Sequence, residues 1–179
     1  MKNNTSFNVA LGGVCSALAI VLMLITAVVP VLDFAMPAAA GVLMAVIVIE
    51  INKKWAVVTY VAVSLVSLLV VPNKEVGLLF AMFMGYYPIL KALLEKPESM
   101  STQWILKLLV FNVAVVSYYF LAVKILTGDA LITEAGEIGK YGPLVLLAVV
   151  NATFVIYDIA LTRLISMYYN WFRKKFLRR

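Results

Sequence analysis

Four polar side chains interrupt the last two apolar runs of the sequence: Asn112 and Tyr119 in one, Asn151 and Asp158 in the other. The members of each pair are seven residues apart, so on a helix they share one face, two turns apart. The chemistry open to them is narrow. Asp158 is the one carboxyl well inside an apolar run, whereas membrane hydrolysis on aspartates needs two. The chain has no His and a single cysteine, Cys15, which excludes histidine metal sites, Ser-His triads and thiolate clusters. No Gly-rich phosphate loop, HExxH or Gly-x-Ser-x-Gly element is present. No catalytic residue, metal ligand or cofactor is therefore assigned, and the chain is read as a non-enzyme. What remains is binding or cohesion, because a polar group in hydrocarbon must find a partner or line a wet cavity.

The elements that carry these groups follow from composition. Of 179 residues, 64% are hydrophobic and 13% charged, and the mean hydropathy is +1.02. A soluble domain averages about 45–50% apolar and about 25% charged residues, so the reading is an all-α integral membrane protein. Interruptions divide it into a bundle of six transmembrane helices forming one domain over 1–179, with spans at about 8–29, 37–51, 55–71, 76–94, 104–126 and 143–165. Pro30 is expected to stop the first span, which is too long for a signal-peptide core and reads as retained. Glu95–Gln103 reads as a polar loop, and Thr127–Tyr141 as the most polar connection.

Basic residues orient the bundle. One side receives Lys2, Lys53, Lys54, Lys91, Lys96, Lys107, Arg163, Arg173, Lys174, Lys175, Arg178 and Arg179, and the other only Lys74, Lys124 and Lys140. This bias places both termini in the cytoplasm, and it explains a net charge of +6 without nucleic acid. Antiparallel helices then allow depths to be compared. Counted from the expected inner ends, Asn112 and Asp158 both lie about 12 Å deep. They form an inner structural pair, while Tyr119 and Asn151 share an outer level. Interhelical cohesion, worth about 0.6 kcal/mol per group, and ligand lining stand open for the outer level.

Two further features stand out. Tyr86-Tyr87-Pro88 lies inside span four, where the proline should kink the helix and free carbonyls beside two phenols. Ala10, Gly13 and Ala17 form a smooth face on span one that permits close helix approach. The outer turn Pro72-Asn73-Lys74-Glu75 reads either as a hairpin or as a polar lip.

With these features, the chain resembles the substrate-binding S component of an energy-coupling factor (ECF) transporter. Length, six helices, basic tail and the small-residue run Ala10-Leu-Gly-Gly-Val-Cys-Ser-Ala-Leu-Ala19 carry the resemblance. The segment Pro30-Val-Leu-Asp-Phe-Ala-Met-Pro37 falls where that family has its first outer loop. The resemblance implies a subunit of the bacterial cytoplasmic membrane that captures a vitamin or similar metabolite outside. It also implies a transmembrane coupling protein and two ATPase subunits as partners. The family's Ala-x-x-x-Ala contact element has Gly13-Val-Cys-Ser-Ala17 as its counterpart here, with Ala10 one turn earlier. The pocket is expected in the outer half between spans four, five and six, under the loops around Asp33 and Asn73. Tyr119 and Asn151 would line it, with Tyr86 and Tyr87 as its floor. The competing reading is an accessory membrane protein of an envelope complex, with no small ligand.

Overall fold

In the computed structural model, residues 5–95, 97, 99–122 and 142–172 are described. They are helical, with no strand among them, and five of the helices are long and apolar enough to cross a membrane. The helices gather into two compact units, Met1–Gln103 and Trp104–Arg179.

The first unit opens with α1 (Thr5–Ile25). Its buried residues Gly12, Cys15, Ala19 and Met23 recur every three or four positions, the period of one helix face. The helix ends four residues before the expected stop. Thr26 is β-branched and turns its hydroxyl onto the Met23 carbonyl at 2.8 Å, and Val29 is held out of the helical region by the proline that follows it. Pro30 does not stop a helix; it starts the 3₁₀ turn Pro30–Leu32, whose Pro30 carbonyl accepts the Asp33 N–H at 3.1 Å. Next comes α2 (Ala35–Glu50), which has 16 residues. At 1.5 Å per residue it is about 24 Å long, short of the ~30 Å hydrocarbon thickness. Pro37 fits in its first turn, where a missing N–H leaves no bond unmade. This short helix is central: it packs against α1, against α3 (Lys53–Val70) and against the fourth helical segment. The shared core runs through Cys15, Ala19, Met23, Ala40, Met44, Ile47, Ala56, Val63 and Phe80.

Asn52 caps α3, its side-chain oxygen accepting the Trp55 N–H at 2.9 Å. Asn73 caps the next helix in the same way, accepting from Glu75 N at 3.1 Å. That span is broken in two: α4 (Lys74–Leu79), a π-turn over Phe80–Met84, and α5 (Tyr87–Leu94). Gly77 lets the start of α4 lie on α3, since a Cβ there would meet the Ser67 carbonyl oxygen at 3.3 Å.

The second unit contains most of α6 (Met100–Ala122) and α7 (Gly142–Met167), which continues as a π-turn over Tyr168–Phe172. Helix α6 starts inside the expected polar loop, where the Gln103 side chain donates to the Pro97 carbonyl at 2.7 Å. Thr127–Tyr141, Lys124, Lys140 and the basic tail from Arg173 lie outside the described residues.

Candidate functional site

The expected site residues fall into three groups. The first sits at one end of the first unit, where the α1–α2 loop meets the α3–α4 turn. Asn73 Nδ2 donates to Asp33 Oδ2 at 3.0 Å, so the structure joins the two loop residues that the sequence placed over a pocket. Both ends of the Asn73 amide are engaged, because its oxygen caps α4. Asp33 Oδ1 is buried without a hydrogen-bond partner among the described residues. Lys74 is no counter-ion to it. Its Nζ reaches the carbonyls of Leu68, Leu69 and Val71 at 2.9, 3.2 and 3.1 Å and so satisfies the open end of α3.

The second group is the break in the fourth span. Gly85 N donates to the Phe80 carbonyl at 2.8 Å, a five-residue step. In a regular α-helix that N–H would have gone to Ala81. The Ala81 carbonyl instead accepts the Tyr60 hydroxyl at 2.6 Å, a phenol from α3 that the sequence reading did not single out. Rings assemble around the break: Tyr60 meets Phe80 and Tyr86 at 6.2 and 6.1 Å, and Phe83 meets Tyr86 and Tyr87 at 6.2 and 4.8 Å. Such spacings are those of favourable aromatic pairs. Tyr87 is fully buried within this packing, and Tyr86 is half-buried. The span is interrupted just before Pro88, but the interruption is the π-turn and the turn after it, and Pro88 sits in the first turn of α5, where its ring costs least. Along the helix Tyr86 stands about 20 Å from Asn73, so the two groups are not one small-ligand site.

The third group lies between α6 and α7. Lys107 Nζ pairs with Asp158 Oδ2 at 2.9 Å, with both side chains buried, and the ammonium also stands 5.2 Å from the centroid of Trp104. Phe111 stacks on Phe154 at 4.3 Å, with the rings 10° from parallel. Asn112 and Asn151 exchange two amide hydrogen bonds, at 3.0 and 3.2 Å, and each also donates to its own helix. The residue numbers run in opposite directions, as an antiparallel pair requires.

This arrangement corrects the expected inner pair of Asn112 with Asp158. Helix α6 begins at Met100, so Asn112 stands about 18 Å from that end while Asp158 stands about 13 Å from Met167. Lys107, about 10 Å along α6, takes the level of Asp158 instead. Asn151 accordingly serves Asn112. Tyr119 belongs to α6, and its side chain lies outside the described part of the structure.

The smooth face of α1 is divided. Ala10, Gly13 and Ala17 are exposed, and a Cβ at Gly13 would meet no atom within 4 Å. Gly12, Cys15 and Ala19 pack inward. Among the described residues no group of three His, Cys, Asp or Glu could hold a metal ion. No family model, curated protein or solved structure matches the chain.

Proposed function

We propose that this chain is the membrane-embedded capture subunit of an ECF-type uptake transporter, with six helical passes and both termini on the cytoplasmic side. The observation that carries the reading is the divided face of α1. Ala10, Gly13 and Ala17 line an exposed strip of missing side-chain volume on a helix whose other face is committed to the core. A strip of this kind favours close approach by a second transmembrane helix, since packing in a membrane gains most where backbones come near. In this reading the strip receives the coupling protein, two ATPase subunits complete the assembly, and the Asp33–Asn73 end faces outward to meet a small metabolite. The protein itself supplies binding and no bond-making chemistry.

The accessory-protein reading draws on a different observation: the polar pairs of α6 and α7 satisfy one another, as cohesive contacts do. Purification from the native membrane followed by mass spectrometry separates the two. An ATPase module and a retained metabolite should co-purify with the wild-type chain. Gly13→Leu and Ala17→Leu should release the module while the metabolite stays bound. If both variants keep the full assembly, the strip is not the docking face and the capture reading loses its support.

A further inference from the structure

We infer that the loop joining α1 to α2 is a lipid-binding surface, its backbone at the boundary between headgroups and acyl chains and its exposed side chains among the chains. This goes beyond the capture reading and does not depend on it. The surface of the loop is inverted. From 27 to 35 every fully exposed residue is apolar: Val28, Val31 and Phe34 are 82%, 90% and 73% exposed, with Val29 and Pro30 beside them. The polar residues of this stretch turn the other way. Thr26 is buried with its hydroxyl on the Met23 carbonyl, and Asp33 is half-buried and takes the Asn73 amide on Oδ2. An exposed apolar patch of this kind marks a contact with membrane or with protein.

The backbone of the loop is also fitted to a place where water is scarce. Thr26, Ala27, Val28 and Val29 donate their N–H groups to the carbonyls of Met23, Leu24 and Ile25. Leu32 and Asp33 donate to Val29 and Pro30, both at 3.1 Å, and Pro30 has no N–H to place. On the adjoining turn, Lys74 Nζ covers the Leu68, Leu69 and Val71 carbonyls, which at a helix end would otherwise call for water. Irregular backbone is costly beside hydrocarbon, and internal pairing lowers that cost. The depth agrees. With Glu50, Lys53 and Lys54 at the opposite boundary, the 16 residues of α2 rise about 24 Å and leave Ala35 about 6 Å short of a ~30 Å hydrocarbon layer. The loop therefore stands at or below the headgroup boundary and not in the water beyond it.

Two observations favour lipid over a second protein. Val14, Leu18, Val21 and Ile25 form an exposed stripe on α1 at steps of three and four residues, and Val28 extends it by one further step. The loop thus continues the outer surface of a helix long and apolar enough to cross a membrane. A protein partner is ordinarily held by about one hydrogen bond per 100–200 Å², and this loop has turned its polar side chains and most of its backbone donors on itself. Glu75, exposed on the neighbouring turn, supplies the polar contact at headgroup level.

Electron paramagnetic resonance of single spin labels tests the depth. In the Cys15→Ala full chain, Val28→Cys, Val31→Cys, Leu18→Cys and Glu75→Cys each carry one nitroxide, with the protein in phosphatidylcholine bilayers. All four positions are exposed, so the label leaves the packing intact. Collision with oxygen, which concentrates among acyl chains, is compared with collision with a neutral nickel chelate, which stays in water. Oxygen should dominate at Val28→Cys and Val31→Cys, as at Leu18→Cys within α1, and the order should reverse at Glu75→Cys. In bilayers of shorter chains the two loop labels should shift toward the chelate while Leu18→Cys keeps its ratio. Chelate collision at the loop equal to that at Glu75→Cys would put the loop in water and overturn the inference. Low collision with both reagents and an immobilised spectrum would put protein against it, a partner or a second copy, and overturn it as well. Neither result touches recruitment of an ATPase module, so the capture reading is tested apart.

Discussion

The two units of this protein hold their helices together by different means. In the first, contact depends on shape: Gly85 lets rings meet where a Cβ would clash, Gly77 lets α4 lie close on α3, and the cluster of buried hydrophobic residues is shared by its helices. Polar groups there cap helix ends, fill the π-turn or pair within one helix, as buried Lys91 does with Glu95 at 2.8 Å. In the second, the contacts between α6 and α7 are polar at two levels and aromatic at the level between them. Shape can be matched at more than one register, since sliding a smooth helix by one turn presents a similar surface. A lysine that must find an aspartate cannot slide. The second unit thus encodes its register in side-chain identity, and the first encodes it in where volume is missing.

The sharpest way to break this contrast is to leave one buried charge alone. Asp158→Ala strands the Lys107 ammonium and should cost about 3–5 kcal/mol, read as a large fall in the thermal midpoint in detergent. Lys107→Met with Asp158→Leu should restore most of that loss, because removing both charges also removes their desolvation. A mild single variant would mean that water reaches the pair and that the register is set elsewhere.

Next in size is Gly85→Ala. Its Cβ would fall 2.7 Å from Tyr60 Cδ2 and 2.8 Å from Phe80 Cε1, so the rings around the π-turn must move. A loss of about 1–3 kcal/mol is expected, as for other overpacked sites. Phe80→Leu in the same chain should recover part of it, and the double-mutant cycle measures the coupling. Additive effects would show that the ring cluster yields freely and that shape is not what holds this unit.

The smallest effect sharpens the comparison instead of breaking it. Asn112→Ala, Asn151→Ala and the double variant should give a coupling energy of about 0.6–1.7 kcal/mol, the range of polar contacts between membrane helices. A coupling near zero would shift the setting of register to the ion pair and the stacked rings.

Much of the fold was legible in the sequence, and the reasons for the gaps are specific. The helices and most turns were marked by Pro72, Asn52 and Asn73, whose capping chemistry is local. The end of α1 was not, because Thr26 turns its hydroxyl back onto the Met23 carbonyl and leaves an apolar tail that still looks like a span. The π-turn was hidden for a related reason: it changes one hydrogen-bond step without changing composition. Of the site, the meeting of Asp33 with Asn73 was anticipated as a shared outer location. The partner of Asp158 is hidden because Lys107 reads as an orienting charge at a helix end, and α6 starts earlier than its polar flank suggests. A usable signal existed. Lys107 and Phe111 are one turn apart, and Phe154 and Asp158 repeat that spacing in reverse order, which is the pattern two antiparallel helices need to meet charge with charge and ring with ring.

The Lys107–Asp158 pair also bears on how the chain is made. The two residues are separated by 51 positions, so at about 5–20 residues per second the lysine is synthesised some 3–10 s before its partner exists. For a chain that enters a membrane as it emerges, α6 alone carries a charge that opposes entry by about 2.5–3.5 kcal/mol at mid-depth. The lysine must keep its water until the aspartate arrives. Helices α6 and α7 therefore reach their paired arrangement only after Asp158 has been made.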